Sequence, residues 1–468
     1  MDRPGGSGAP DGDSLEAGPA ADLPRVVEIA EAGDLILDLL FENSKATLKS
    51  SRKTTPILAD RSVNPAKARS RIGFRVDLAI LKKQSKYFEK LLGDSRFQEA
   101  NLITSALEAL SIKGIQLKSA DIRDLPWVKI TDDDEATRLA HREEAFGDML
   151  RVLHGKGVAT EPATLDFTAT LAVLADRFDC AAPVSKIMAS GLKLKWPVTQ
   201  RKSLAGEDSK MSRSAENALR QKILISWLLN QPTRFQAATR ELIMNGSRKW
   251  TAFPEPDDGT EEATWWHLQD GLEQELQFRR ECILNTIASV PRHFLTLYTS
   301  RARQCQLGYD SSAACDSYQL GEMFKFFTNR GLLFAVDFSP ASLDLIADTA
   351  LLPVDAVLAA LRQCPSYQID KNHMNCGLRT RIVPILDFVK ALLSANSVPL
   401  SRLPWKNDRQ RTAWLPREGA REDVREAKPF QFTRAMSNDQ RLRFEHAMGA
   451  DKFARDVFTA PGWTWTES

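Results

Sequence analysis

The chain has 468 residues, room for two or three domains, and a net charge of +2 on 43% hydrophobic and 26% charged residues. That balance gives no global field for nucleic acid or an anionic membrane, and no run of about 18 apolar residues offers a helical span. Six cysteines in so long a chain, behind an N-terminus with no apolar leader, point to a reducing compartment, cytoplasmic or nuclear, and to free thiols or metal ligands rather than disulfides.

Residues 1–23 are rich in Gly, Pro and Asp and read as a disordered tail. Gly33-Asp34 precedes Leu35, Ile36, Leu37, Leu39, Leu40 and Phe41, an apolar run of strand length. Residues 43–71 carry eight Lys or Arg (45, 49, 52, 53, 61, 67, 69, 71) against Asp60 alone. They read as a solvated insertion, with a basic contact for nucleic acid or an acidic partner as the rival reading. Phe74-Arg-Val closes a half-buried strand. Asp77 is placed to cap a following helix, on which Leu78, Leu81, Ser85, Phe88 and Leu92 share a face and Lys82, Lys83, Lys86 and Lys90 lie largely off it. Residues 101–126 read as an irregular spacer, and Trp127-Val-Lys-Ile130 as a short strand. The acids 132–135 suit a helix start, with a metal site as the weaker alternative. Phe146, Met149, Leu150 and Leu153 line a helix that Gly155 ends, and Leu171, Leu174, Ala175 and Phe178 line the next.

Several of these strings resemble one family. The strand ending Phe74-x-Val76 and the helix Leu81 to Leu91, with Ser85, Tyr87 and Phe88 in place, resemble the strand–helix signature of BTB/POZ domains. Phe146 to Gly155 and Leu174-Ala-Asp-Arg-Phe-Asp179 resemble two later helices of that family. The family's His before the first helix is Asp77 here. The resemblance implies an α+β domain over 24–190, a small sheet capped by helices, in which the segment from Leu78 packs with the sheet and with the Met149 and Leu174 helices. The basic insertion 43–71 then sits at the tip of a hairpin.

After a linker over 191–213, residues 214–398 show helical periodicity throughout, with helices expected at 215–228, near Leu242, at 265–298 with a break at Pro291, and at 319–333, 339–350, 353–363 and 382–394. Cys305, Cys315, Cys364 and Cys376 fall within 72 residues, where an even spread of six cysteines would put about one. His373-x-x-Cys376 before Gly377 offers two donors from one turn. The set reads either as a structural zinc site, with the four cysteines as ligands and His373 substituting for one, or as separate thiols; no Cys-x-x-Cys is present. This half resembles a region that accompanies BTB domains in fungal proteins, through the strings around Cys305 and from Cys364 to His373. Cys282 beside Arg279 and Arg280 is a candidate activated thiol, but its periodic placement favours packing. In 399–468, nine aromatics are spaced through charged sequence (Trp405, Trp414, Phe430, Phe432, Phe444, Phe453, Phe458, Trp463, Trp465) and are expected to dock on the chain's own helical half.

No dinucleotide fingerprint, phosphate loop, nucleophile elbow or His-Glu-x-x-His occurs. The expectation is a non-enzymatic interaction module. By the resemblance, it is an adaptor or scaffold with protein partners, a homodimer of the BTB-like domain or a cullin-type scaffold among them. A nucleic-acid-associated transcriptional regulator using the basic loop and a zinc-pinned helical domain is the alternative.

Overall fold

In the computed structural model the described residues are 23–42, 69–117, 120–132, 142–160, 163–190, 211–251, 263–332, 350–416, 429–442 and 449–467. They form a mixed α/β protein with a small sheet and many helices, in two compact units. One unit spans Met1–Lys83 and Tyr87–Asp133, the other Gln84–Lys86 and Asp134–Ser468.

The first unit is built on four strands: β1 (Val26–Glu28), β2 (Leu35–Glu42), β3 (Arg69–Val76) and β4 (Trp127–Asp132). They lie in the order β1-β3-β2-β4. β2 and β3 pair antiparallel from Leu35↔Val76 to Glu42↔Arg69, while β1 runs parallel to β3 and β4 parallel to β2. The central place of β2 explains its nearly continuous apolar sequence, since both its faces are covered. Asp38 is the exception, and it is buried. Arg71, two residues along the neighbouring strand from Asp38's partner Gly73, grips both its oxygens, Nε to Oδ1 at 2.7 Å and Nη2 to Oδ2 at 2.6 Å. Arg69 and Arg71, read from the sequence as insertion, are therefore strand residues; the rest of that insertion, 43–68, lies outside the described residues.

After β3 come α1 (Leu78–Gln84) and α2 (Lys86–Gly93), two helices where periodicity suggests one. The first turn of α1 is capped twice: Asp77 Oδ1 accepts from Ile80 N at 2.9 Å, and Asp34 Oδ1 from Leu78 N at 2.8 Å. Leu81, Phe88 and Leu92 are buried as their spacing predicts. Gly33, beside this cap, admits no side chain, because a Cβ would sit 2.6 Å from Val76 O.

The expected spacer at 101–126 is corrected: α3 (Gln98–Ile112) occupies its first half. Ala100, Ile103 and Leu110 give α3 a buried side. Leu110 joins Ala120, Leu125 and Ile36 of β2 in a small core on the second face of the sheet. With Asn, Thr and Ser interleaved, the helix is weakly amphipathic, and its pattern is hard to read without that sheet face.

The second unit begins with α4 (Arg142–Leu153), α5 (Leu165–Arg177) and α6 (Ala181–Ser190). The domain line expected at 190 falls inside this unit. Helix α5 packs on α4, on α6 and on α7 (Arg213–Leu228). Gln221 Nε2 donates to Asp166 Oδ1 at 2.5 Å, and Ser185 Oγ to Leu229 O at 2.6 Å. Helix α8 (Pro232–Asn245) follows, then α9 (Leu272–Thr299), about 42 Å long at 1.5 Å per residue. Pro291 is inside α9 and does not end it. Buried side chains at Ile287, Val290 and Phe294 hold both sides of the proline in one helix, outweighing the lost hydrogen bond. Helices α10 (Ser312–Asn329), α11 (Val354–Arg362) and α12 (Leu378–Leu392) complete the main body.

One core runs through α7–α12 and takes in Trp405, Trp414, Phe430, Phe432, Phe458 and Trp465 from the C-terminal segment, so these aromatics do dock on the helical half. An ion pair on α9 directs them. Arg279 donates to Glu275 at 2.6 Å and to the carbonyls of Ser397, Val398, Pro399 and Thr412, while the Glu275 carboxylate accepts from Trp414 N at 2.7 Å. The guanidinium stacks 4.9 Å from the Trp414 ring.

A second buried polar centre joins α7, the turn after α8 and α9. Arg220 donates to Glu216 at 3.0 Å, to both Glu273 oxygens at 2.8 and 2.9 Å, to Ser247 Oγ at 2.6 Å and to Trp266 O at 2.8 Å. Trp250 Nε1 donates to the same Glu273 at 2.7 Å. Sequence reasoning missed this centre; only the i,i+4 spacing of Glu216 and Arg220 signals it.

Candidate metal centre

Two connections meet beside the C-terminal end of α9. The first, 300–311, leads into α10; the second, 363–377, leads into α12. Asp316, in the second turn of α10, reaches back to the first: its Oδ2 accepts from Gln304 N at 2.8 Å and its Oδ1 from Cys305 N at 2.9 Å. That fold-back sets Cys305 over Cys315 in the first turn of the helix. In the second connection, Asp370 Oδ1 accepts from Asn372 N and His373 N, and Cys376 N donates to His373 O. Asn375 adopts φ 67°, the left-handed conformation that turns Cys376 back toward His373. Gly377 passes so close to Tyr367 that a Cβ would lie 2.9 Å from its carbonyl oxygen. Gln319 Nε2 donates to that same carbonyl, and Tyr298 OH to Cys376 O, which ties the second connection to α10 and α9.

These constraints bring Cys305, Cys315, His373 and Cys376 together, with all four ligand atoms within 4.8 Å of one another. Cys305 Sγ lies 3.4 Å from His373 Nδ1 and 4.0 Å from Cys376 Sγ, and Cys376 Sγ lies 3.8 Å from the same Nδ1. An ion bound tetrahedrally by sulfur at about 2.3 Å and nitrogen at about 2.0 Å requires edges of about 3.8 Å between sulfurs and about 3.5 Å from sulfur to nitrogen. The three separations among Cys305, Cys376 and His373 lie within about 0.3 Å of those edges, and Cys315 Sγ lies within 4.8 Å of the other three donors. Three of the four residues are buried and Cys376 is half-buried. His373 Nδ1 faces the sulfurs, and Nε2 is 2.8 Å from Ser311 Oγ. With a metal on Nδ1, the ring proton belongs on Nε2, where Ser311 Oγ accepts it. The Tyr309 ring covers the imidazole edge-on at 5.7 Å.

The thiols do not titrate alike. Burial pushes Cys305 up, but its hydrogen bonds with Ser312, the Leu307 backbone, Cys376 and His373 outweigh it and bring it down to about 7. Burial, and then the charge on Cys305 and Cys376, drives Cys315 up to about 12; burial and Cys305 raise Cys376 as well. Left to itself, the site admits one negative charge and resists the next. A cation at its centre removes that conflict. The group can thus hold a metal ion, and it is the one such group among the described residues.

The set read from the sequence is corrected in one member. Cys364 lies outside the group: it is fully buried, its thiol faces Pro365 O at 3.7 Å, and burial pushes it up to about 12. His373 is a member beside three cysteines rather than a substitute within four. Cys180 and Cys282 are likewise pushed up to about 12, first by burial, and Arg279 and Arg280 next to Cys282 are committed to carbonyl oxygens. Of the acid run, Asp132 ends β4 and residues 133–135 lie outside the described residues. Ser311, Asp316 and Asp370 were not singled out from the sequence; Ser and Asp near connections are too common to mark them. No helix of the described residues is long and apolar enough to cross a membrane. Set against known proteins, the chain matches no family model, no curated protein and no solved structure.

Proposed function

We propose that this protein is a non-enzymatic interaction scaffold whose helical unit is closed by a structural zinc ion. The observation that carries the reading is the completeness of the donor set. Three sulfurs and one imidazole nitrogen, all within 4.8 Å of one another, supply the four donors that a tetrahedral site takes. Soft, fully proteinaceous coordination of that kind is what structural zinc takes, whereas catalytic zinc keeps a vertex for water or substrate. Zinc here clamps the connection before α10 to the one before α12, so its work is to hold surface in place.

The first unit supports an adaptor role of the BTB/POZ-like kind. Its β2–β3 hairpin leads into a doubly capped helix at the first of the strings that carry the family resemblance, while the two later strings lie in the second unit. On α3, Leu102 and Ile112 are 50% and 87% exposed on a side without basic residues, a surface suited to another protein chain rather than to nucleic acid. Self-association and recruitment to a cullin-type ligase or a regulatory complex are the roles this reading implies.

Native mass spectrometry of the purified full chain is the test. One zinc per chain, in a complex with a second copy or another protein that is lost in the Leu102→Asp, Ile112→Asp double variant, is expected. A zinc-free monomer with steeply salt-dependent DNA or RNA binding would replace this reading with the nucleic-acid one.

A further inference from the structure

We propose that Cys305 and Cys376 form a reversible dithiol–disulfide couple, closed by hydroperoxide, whose closure expels the metal. The inference rests on the metal reading of the same site and adds its regulation.

Four observations select this pair. Their sulfurs are 4.0 Å apart, so each has to move by about 1 Å to reach the disulfide length of about 2.05 Å. Both cysteines sit in irregular connections, Cys305 between α9 and α10 and Cys376 in the turn before α12, where the backbone can follow the sulfurs. Cys315 is held in the first turn of α10 and is fully buried, so it can neither approach a partner nor meet an oxidant. Cys376 is the half-buried member of the four and provides the point of entry.

The chemistry balances with the peroxide as the only co-reactant. The Cys376 thiolate attacks one peroxide oxygen, breaking the O–O bond; hydroxide leaves and Cys376 becomes a sulfenic acid. The Cys305 thiolate then attacks that sulfur, forming the S–S bond and expelling a second hydroxide. Two protons convert the two hydroxides to water. The thiolate pair loses two electrons and the peroxide gains them. Cys315 and His373 remain as two donors, too few to retain a tetrahedral ion. A dithiol reductant reverses the step and restores all four.

The experiment uses the full-length, zinc-loaded chain and hydrogen peroxide, with a chromophoric chelator to follow zinc and peptide mapping to follow sulfur. The expected result is release approaching one zinc per chain, an intact mass lower by two hydrogens, and a Cys305–Cys376 cross-link that dithiothreitol reverses. Cys364→Ser, which leaves all four donors in place, gives the same link. A link through Cys315, oxygen uptake without a cross-link, or zinc retained after the Cys305–Cys376 link has formed overturns the inference. Failure of the metal reading shows separately, before any peroxide is added, as a purified chain without zinc.

Discussion

The second unit buries two polar centres, and they meet the cost of burial in opposite ways. Around Arg220, the counter-charges are part of the fold: Glu216 and Glu273 face the guanidinium, Lys249 stands 3.7 Å from Glu273, and Ser247 and Trp250 take remaining hydrogen-bonding capacity. At the Cys305 group, four donors converge on a point and none brings a full positive charge of its own. Cys305 down at about 7 and Cys315 up at about 12 are signs of that imbalance. A buried polar centre either contains its counter-ion in the sequence or leaves room to take one from solution. The first kind is paid for at folding; the second makes stability depend on metal.

Removing a partner from the self-contained centre should do the most damage. Arg220→Ala leaves two carboxylates buried without their cation, and a loss of about 3–5 kcal/mol in unfolding free energy is expected, with no rescue by added zinc. Urea titration with and without zinc measures both. Cys315→Ser should act through metal alone. At free zinc 100-fold above Kd the parent gains about 2.7 kcal/mol, so the variant should melt like the parent in chelator and show no further loss when chelator is added. If Cys315→Ser destabilises the chelated protein as much as the zinc-loaded one, the centre is a packing site and the contrast collapses.

Ser311→Ala should lower zinc affinity by about 10-fold, because the Nε2 proton of His373 loses its acceptor. Competition against a chelator of known affinity reads this, while the melting of the zinc-free chain should not move. Acidification sharpens the contrast at Glu273. Burial pushes that carboxyl up, but the hydrogen bonds and charge of Arg220, then Lys249 and Trp250, outweigh it and hold it below its ordinary value of 4.5. A carboxyl depressed in the folded state contributes stability above its unfolded value and loses it as pH falls through the folded one. The melting temperature of the zinc-free chain should therefore fall below about pH 4.5, and fall less in Glu273→Gln. The smallest effect is expected from Cys364→Ser: unchanged zinc content and a loss of about 1 kcal/mol from a hydroxyl placed in an apolar pocket.

Much of the local architecture is legible in the sequence. The apolar run from Leu35, the Asp77 cap, the Met149 and Leu174 helices and most second-unit helices follow from period, capping residues and Gly or Pro punctuation, all of which act within a few residues. The clustering of cysteines marked the region where three of them meet His373, and His373-x-x-Cys376 marked two of the four residues that converge there. Three things resisted. Helix α3 carries too weak a stripe to be seen without the sheet face it covers. Pro291 looks like an ending because its lost hydrogen bond is local, while the burial that overrides it comes from other helices. Cys364 is as apolar in its surroundings and as close in number as the true members.

The chain alone determined the rough place of most of its strands and helices and which residues carry soft donors, because those depend on neighbours a turn or a pleat away. Tertiary structure alone decided which donors face one another, that Arg220 of α7 finds Glu273 of α9, and that the terminal aromatics close the helical core. Those are contacts between segments tens to hundreds of residues apart. They are selected by the shared cost of leaving charge, thiol and ring unsatisfied in the interior, a quantity that no short window of sequence contains.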